Sequence, residues 1–190
     1  MPTVADLITQ EAQRQGVDPS LAIEVARAES GLDPNVGDSS AGAVGVFQLE
    51  PATAAQLGVN PRDVTQNIAG GIRYLGQMLA QFGSIPAALA AYNWGPGNLS
   101  QAIAQFGSDW VKHLPTETAR YISKIVGNLA QYRATVTPAS IANGVTQLLT
   151  PSDQSAGPAP PAGSSSLVPL LILTALGVGA YLVAEVFLND

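Results

Sequence analysis

Apolar residues recur at helical spacing between Val64 and Phe82, and no other feature of the sequence constrains the fold as strongly. The spacing is shared by Ile68, Ile72, Tyr74, Leu75, Met78 and Leu79. Apolar residues three or four positions apart lie on one face of an α-helix, and the following Gly83 is a typical helix end. The pattern therefore predicts a long amphipathic helix that buries one face against other elements.

Helical patterns also cover most of the chain on either side of this segment. Asp18 and Pro19 are typical of an N-cap followed by a first-turn proline, so they predict a helix that continues to Glu29. Further helices are predicted at residues 86–93, 98–105 and 116–132. No stretch shows the sustained alternation of apolar and polar residues that marks a strand. We therefore expect an all-α domain whose only long irregular segment is a Gly/Ser-rich loop at residues 34–45.

The charged residues divide the chain near Arg133. Residues 1–133 hold all 8 basic and 11 of the 14 acidic residues, whereas residues 134–190 hold only 3 acidic ones. In residues 151–166, 11 of 16 residues are Pro, Gly or Ser, a composition typical of linkers. We therefore expect a folded domain at residues 1–135, a short helical extension at 136–150 and a linker at 151–166.

The stretch that follows the linker is apolar. Residues 167–184 contain no charge, and their apolar side chains occur all around a helix rather than along one stripe. Eighteen such residues are just long enough to cross the core of a bilayer. We predict a transmembrane helix at residues 167–188 rather than a buried core helix, and the lipid bilayer is its expected partner. Because no Lys or Arg follows Arg133, the sequence does not predict the orientation of this helix.

Composition excludes several classes of site. The chain has no cysteine, which excludes disulfides, thiolate metal sites, iron–sulfur clusters and a cysteine nucleophile, and a single His113 excludes a multi-histidine metal site. The net charge of −6 and the scattered basic residues argue against nucleic acid as a partner. The first residues include an early acid and no basic segment before an apolar run, so we expect no signal peptide and another route of export.

Glu29 is the candidate for proton transfer. It follows Val25 and Ala26 at helical spacing and so shares their apolar face. Partial desolvation there would raise the pKa of its carboxyl group, which is what a general acid needs near neutral pH. A solvated or capping glutamate at a helix end is the ordinary alternative.

Four short motifs follow one another along the folded part of the chain. They are Glu29-Ser30-Gly31 with Gly45-Val46-Phe47-Gln48, Asn67-Ile68 with Gly71 and Tyr74-Leu75, Ala91-Tyr92-Asn93-Trp94-Gly95-Pro96-Gly97, and Pro115-Thr116-Glu117-Thr118 with Tyr121. On these motifs, the chain resembles the soluble lytic transglycosylase (SLT) domain of the lysozyme superfamily over residues 5–132. Four motifs in the right order are far more specific than one short motif.

The resemblance implies a lysozyme-like fold and peptidoglycan as the partner. The implied reaction cleaves the β-1,4 bond between N-acetylmuramic acid and N-acetylglucosamine without water and leaves a 1,6-anhydromuramoyl end. Glu29 would act as the acid and then as the base, and no metal or cofactor would be required.

The resemblance also implies roles for other motif residues. Ser30 would hold Glu29 in place. The glycan groove would be lined by Gln48, Tyr92, Asn93, Glu117 and Tyr121. Each has a plainer alternative: a helix end for Ser30, a satisfied buried amide for Gln48, turn chemistry at Asn93 and a first-turn acid at Glu117. Trp94 could stack on a sugar, although aromatic residues more often pack in a core.

Glu50 departs from the family pattern. Many transglycosylases have an apolar residue two positions after the motif glutamine, whereas goose-type lysozymes, which hydrolyse the same bond, carry an acid there. A second carboxylate could activate water in an inverting hydrolase if the two carboxyl groups lay roughly 6.5–9.5 Å apart. The alternative is a solvent-exposed residue before Pro51. We expect the anhydro product because the other motifs match the transglycosylases.

Two further functions remain open. One is a membrane-anchored module that binds glycan or has a structural role and has lost the activity, although the intact Glu29 argues against it. The other is a bacteriophage virion component that opens the cell wall locally during genome entry, together with other virion or envelope-crossing proteins. The lack of a signal peptide, the acidic chain and the apolar C-terminal stretch favour this role over secretion or conjugation.

Overall fold

The structure is a computed structural model that describes residues 1–135. The predicted extension at residues 136–150, the linker at 151–166 and the transmembrane helix at 167–188 lie outside the described residues. Within residues 1–135, no helix is both long and apolar enough to cross a membrane.

The described part of the chain is helical. Its elements are α1 (Val4–Gln15), α2 (Pro19–Ser30), α3 (Pro51–Leu57), α4 (Val64–Phe82), α5 (Ile85–Trp94), α6 (Pro96–Phe106), a 3-10 helix (Gly107–His113) and α7 (Thr116–Thr135). Strands are absent from these residues, and a single isolated antiparallel bridge joins Val44 to Leu49. The expectation of an all-α domain is therefore confirmed for the part of the chain that the structure describes.

The helix ends follow the signals in the sequence. The Asp18 side chain accepts a 2.8 Å hydrogen bond from the Ser20 N–H, and α2 ends at Gly31, whose φ of 68° is left-handed. The sequence patterns did not delimit α1 and α3. Helices α5 and α6 begin slightly before the predicted positions because Pro86 and Pro96 occupy their first turns, where proline is tolerated.

Helix α4 is at the centre of the domain. It packs against both α1 and α5, while α7 contacts α2 and α5. The α4 side chains in the core are those that the apolar spacing identified, with Ile72 and Leu75 fully buried. Burial of one helix face against two neighbours is the main source of stability in a fold of this kind.

The irregular segment is longer than the sequence predicted and runs from the end of α2 to Glu50. Its last part, residues 44–49 (the 44–49 loop), packs directly on α4. A Cβ atom on Gly71 would lie 2.2 Å from Cγ of the fully buried Phe47, so only glycine permits this contact. Because Gly71 has no side chain, the loop can pack directly against α4 at the centre of the domain.

Candidate active site

A cavity of about 480 Å³ opens where α2, α5, α7 and the 44–49 loop approach one another. Seven of the residues singled out from the sequence line it: Glu29, Gln48, Glu50, Tyr92, Asn93, Trp94 and Glu117. Ser30 and Tyr121 are not part of the lining. Tyr121 bonds to Glu29, which lines the cavity, whereas Ser30 bonds to the carbonyl oxygens of Ala26 and Val46, which do not. The charged residues that line the cavity are all glutamates.

Glu29 lies in the last turn of α2 and is partly buried. Burial raises the pKa of its carboxyl group to about 7, and the negative charge of Glu117 adds to the rise. The hydroxyl of Tyr121 donates a 2.7 Å hydrogen bond to Oε1 of Glu29, which opposes the rise because it favours the carboxylate. The desolvation predicted from the apolar face of α2 is the larger effect.

Two tyrosines beside Glu29 are held in the neutral form. Burial raises the pKa of both Tyr92 and Tyr121 well above the usual value, and the nearby Glu29 carboxylate adds to the shift. Both therefore act as hydroxyl donors at neutral pH. Tyr121 donates to Glu29, whereas Tyr92 donates a 2.9 Å bond to the carbonyl oxygen of Phe47.

The 44–49 loop is bonded to three helices. Oγ of Ser30 lies 2.9 Å from the carbonyl oxygen of Val46 and 3.0 Å from that of Ala26. Ser30 directly follows Glu29, so this hydroxyl connects the end of α2 to the loop. The hydroxyl has one hydrogen, which the two carbonyl oxygens share. Tyr92 provides the bond from α5, and Asn67 provides bonds from α4.

Gln48 has a backbone conformation that glycine usually adopts. Its φ of 43° is left-handed, and its Nε2 donates a 3.0 Å bond to the carbonyl oxygen of Gly45. The side chain lines the cavity. The bonds that hold the rest of the loop therefore also fix where this amide lies.

Asn93 and Glu117 come together where α5 ends and α7 begins. The hydroxyl of the buried Thr118 donates a 2.8 Å bond to Oδ1 of Asn93, which fixes the orientation of the amide. Glu117, one residue earlier on α7, is exposed and also lines the cavity.

Glu50 is the N-cap residue of α3, and its side chain makes no capping hydrogen bond. The residue is exposed and lines the cavity, so its carboxylate lies at the cavity edge in contact with solvent. Together with burial, this carboxylate raises the pKa of Tyr74.

Tyr74 lines the cavity, although the sequence indicated no role for it in the site: it belongs to the second motif, and the helical spacing assigned it to the apolar face of α4. Its ring packs against that of Tyr92, with centroids 5.1 Å apart and planes inclined by 56°. A tyrosine on an otherwise apolar helix face was the available signal, because a buried phenol usually finds a polar partner for its hydroxyl. Trp94 also lines the cavity and is half-buried. Thr53 and Asn98 line it too, although the sequence assigned no role to either residue.

Residues 6–114 match the family described as the transglycosylase SLT domain. Among curated proteins, the chain is 35% identical over 136 residues to a protein of Enterobacteria phage PRD1 named transglycosylase. That alignment covers 71% of this chain and 48% of the phage protein. This chain is also 36% identical over 110 residues to the membrane-bound lytic murein transglycosylase F of Desulfosudis oleivorans. That alignment covers 54% of this chain and 24% of the other protein. The chain thus spans about half or less of the length of these relatives.

Solved structures agree with these matches. The 70 kDa soluble lytic transglycosylase of Escherichia coli superposes with a TM-score of 0.61 and 28% identity, over 68% of this chain and 24% of that one. Its complex with bulgecin A gives a TM-score of 0.62 and 27% identity, with the same coverage. An inactive mutant of the lytic transglycosylase Slt from Pseudomonas aeruginosa gives 0.54 and 27%, over 62% of this chain and 22% of that one.

Proposed function

The chain belongs to the transglycosylase SLT domain family, and from this premise we propose that it cleaves the β-1,4 bond between N-acetylmuramic acid and N-acetylglucosamine in peptidoglycan. The observation that carries the proposal is Glu29, a carboxyl group in a glycan-sized cavity whose pKa is raised to about 7. At that pKa the group is partly protonated at neutral pH, so it can both donate and accept a proton.

The proposed reaction uses this one carboxyl group twice. Protonated Glu29 donates its proton to the oxygen of the glycosidic bond, and the bond to the anomeric carbon breaks as the N-acetylglucosamine side leaves. The resulting carboxylate takes the proton of the muramoyl 6-hydroxyl, whose oxygen bonds to the anomeric carbon and closes a 1,6-anhydro ring. The proton that Glu29 gave is restored, and no water is consumed. The Tyr121 bond stabilises the carboxylate between the two steps.

The other cavity residues supply binding and position. We assign glycan contacts to the amides of Gln48 and Asn93 and to Glu117, because all three line the cavity. Ser30 and Tyr92 are bonded to the 44–49 loop, so their proposed contribution includes holding its backbone in place.

Mass spectrometry of digested peptidoglycan tests the proposal. The wild-type chain should release muropeptides with anhydro ends, and Glu29→Gln should release none, because the amide keeps the shape and loses the transferable proton. The matched control is Glu24→Gln on the same helix, since Glu24 does not line the cavity and bonds to Arg27 and Asn128 instead. Release by Glu29→Gln at the wild-type rate would place the acid elsewhere, and an inactive wild-type chain would favour the glycan-binding or structural module.

Hydrolysis is the second candidate, and the exposure of Glu50 at the same cavity favours it. In that reaction Glu50 would activate water, and the muramoyl end would be reducing and one water heavier than the anhydro end. The same spectra separate the two. Anhydro ends from both the wild-type chain and Glu50→Gln support the transglycosylase, whereas reducing ends that disappear in Glu50→Gln support the muramidase.

We extend the proposal to the place of action. The relatives named above are a phage transglycosylase and a membrane-bound transglycosylase, and the sequence predicts a membrane helix at residues 167–188. We propose a virion-associated enzyme that opens the bacterial cell wall locally, with its C-terminal segment in a bilayer. Detection of the chain in purified particles from the producing cells tests this place, and its absence from them would refute it.

A further inference from the structure

Asn67 is a polar side chain that is fully buried in the domain, at 0% exposure. It lies in the first turns of α4 and does not line the cavity of Glu29. Its Oδ1 accepts a 2.9 Å bond from the N–H of Phe47, and its Nδ2 donates to the carbonyl oxygens of Val44 at 2.8 Å and Pro61 at 3.0 Å. One side chain therefore satisfies three backbone groups, and the two that belong to the 44–49 loop form buried bonds.

The loop is shaped around this amide. Gly45 has a left-handed φ of 78°, and a Cβ atom there would lie 2.5 Å from Nδ2 of Asn67. Only glycine therefore allows the backbone to pass so close to the side chain. The bridge between Val44 and Leu49 closes the loop, and Asn67 bonds to Val44 at the bridge and to Phe47 within the loop.

The consequence appears at Gln48. Its left-handed backbone is strained for a residue with a side chain, and such strain persists only where the surroundings enforce it. The residue before it, Phe47, is fixed at both polar groups, with its N–H on Asn67 and its carbonyl oxygen on Tyr92. We propose that Asn67 is a positioning residue, which acts on the reaction by holding the 44–49 loop so that the Gln48 amide faces the cavity. This inference rests on the proposed function.

A double-mutant cycle tests the proposal, with muropeptide release from purified peptidoglycan as the readout. Asn67→Ala and Gln48→Ala should each lower the rate by about tenfold or more, and the double variant should be no more than about threefold slower than Gln48→Ala alone. Losses that multiply in the double variant would mean that Asn67 does not act through Gln48. An Asn67→Ala chain with the wild-type rate would also overturn the proposal.

A loss of stability alone should not produce this coupling. The control is Ile8→Ala on α1, a fully buried position that does not line the cavity. It is assayed at a temperature where circular dichroism shows that it is folded. It should melt at a lower temperature than the wild-type chain and keep the wild-type rate, and adding it to Gln48→Ala should leave the rate of Gln48→Ala unchanged. Reduced activity in Ile8→Ala equal to that in Asn67→Ala would show a structural role only.

Asn67→Asp replaces Asn67→Ala in the cycle if the alanine variant does not fold. It keeps an oxygen for the Phe47 N–H and loses the two N–H donors, and the same outcomes apply.

Hydrogen exchange on the wild-type chain tests the loop contact without any variant. The Phe47 amide should exchange as slowly as the amides of α4, and exchange as fast as that of the exposed Ser40 would refute the loop contact. A protected Phe47 amide in an inactive wild-type chain would instead refute the proposed function and leave the loop contact intact.

Discussion

The hydroxyl of Tyr121 lies 2.7 Å from Oε1 of Glu29 and joins the last turn of α2 to α7 across 92 residues of sequence. Two opposing effects meet at this bond. Burial favours the neutral acid, while the hydroxyl favours the carboxylate, and the resulting pKa is about 7. A group balanced in this way is suited to give a proton and take one back in a single turnover.

Tyr121→Phe should move the pH dependence of the reaction. As a general acid, Glu29 must be protonated when the glycosidic bond breaks, so kcat/KM should fall as the pH rises through its pKa of about 7. Without the hydroxyl the carboxylate loses stabilisation and the pKa rises further. A hydrogen bond to a charged group contributes about 1.5–3 kcal/mol, so the alkaline limb should move up by about one pH unit or more.

Tyr74→Phe is the matched control for this shift. It removes a hydroxyl from the same cavity that is not bonded to Glu29. We expect its alkaline limb to remain in the wild-type position, as measured by kcat/KM on soluble glycan strands. An unmoved limb in Tyr121→Phe would show that another group governs the pH dependence.

The raised pKa of Glu29 also predicts how stability varies with pH. The folded chain holds the proton up to about pH 7, whereas the unfolded chain releases it near the ordinary value of 4.5. Between these values the folded state binds more protons, so the free energy of unfolding falls as the pH rises. The shift corresponds to a loss on the order of 3 kcal/mol, complete above pH 7 and absent below 4.5.

Glu29→Gln removes this titration. Its melting temperature should equal that of the wild-type chain near pH 4.5 and exceed it at pH 8, by on the order of 10 °C. Thermal unfolding of both chains across this pH range isolates the effect, because every other titrating group is common to both. Equal melting temperatures at pH 8 would mean that the carboxyl group is solvated in the folded chain.

The sequence predicts the parts of this molecule that depend on local pattern. The spacing from Val64 to Phe82 identifies α4, and Asp18, Pro19 and Gly31 delimit α2 because caps and first-turn prolines act within one turn. The face shared with Val25 and Ala26 predicts that Glu29 is desolvated, for the same local reason.

Contacts between distant elements were not predictable. The four-residue spacing of Glu117 and Tyr121 places both on one face of α7, but the packing of α7 on α2 decides that Tyr121 reaches Glu29. The left-handed backbone of Gln48 carries no sequence signal, because the tertiary bonds of Asn67 and Tyr92 enforce it on a residue that does not prefer it.

Gly71 tests whether the loop must touch α4. In Gly71→Ala the added methyl would overlap the ring of Phe47, with separations of 2.2–2.6 Å, so the loop has to move. We expect a loss of about 1–3 kcal/mol or more in the free energy of unfolding, together with lower activity. Gly127→Ala is the control, because a Cβ atom there meets nothing within 4 Å on an exposed position of α7. It should raise stability by about 0.5–1 kcal/mol and keep the activity, as measured by denaturant unfolding.

The C-terminal proposal rests on residues outside the described part of the chain and makes a separate prediction. At 1.5 Å per residue, the uncharged residues 167–184 would span about 27 Å as a helix, slightly less than a hydrocarbon core of about 30 Å. Val186, Phe187 and Leu188 must then contribute to the span, which places Glu185 near an interface, where an acid costs less than at the bilayer centre.

Flotation with lipid vesicles tests this segment. The full chain should float with the vesicles, and a chain that ends at Ser166 should stay in the dense fraction. Leu176→Glu should abolish flotation, because an acid at the helix centre costs about 2.5–3.5 kcal/mol, whereas Leu176→Ala should still float. A full chain that stays monodisperse in water and does not float would contradict the prediction, since 18 uncharged residues would then have to be covered by protein rather than by lipid.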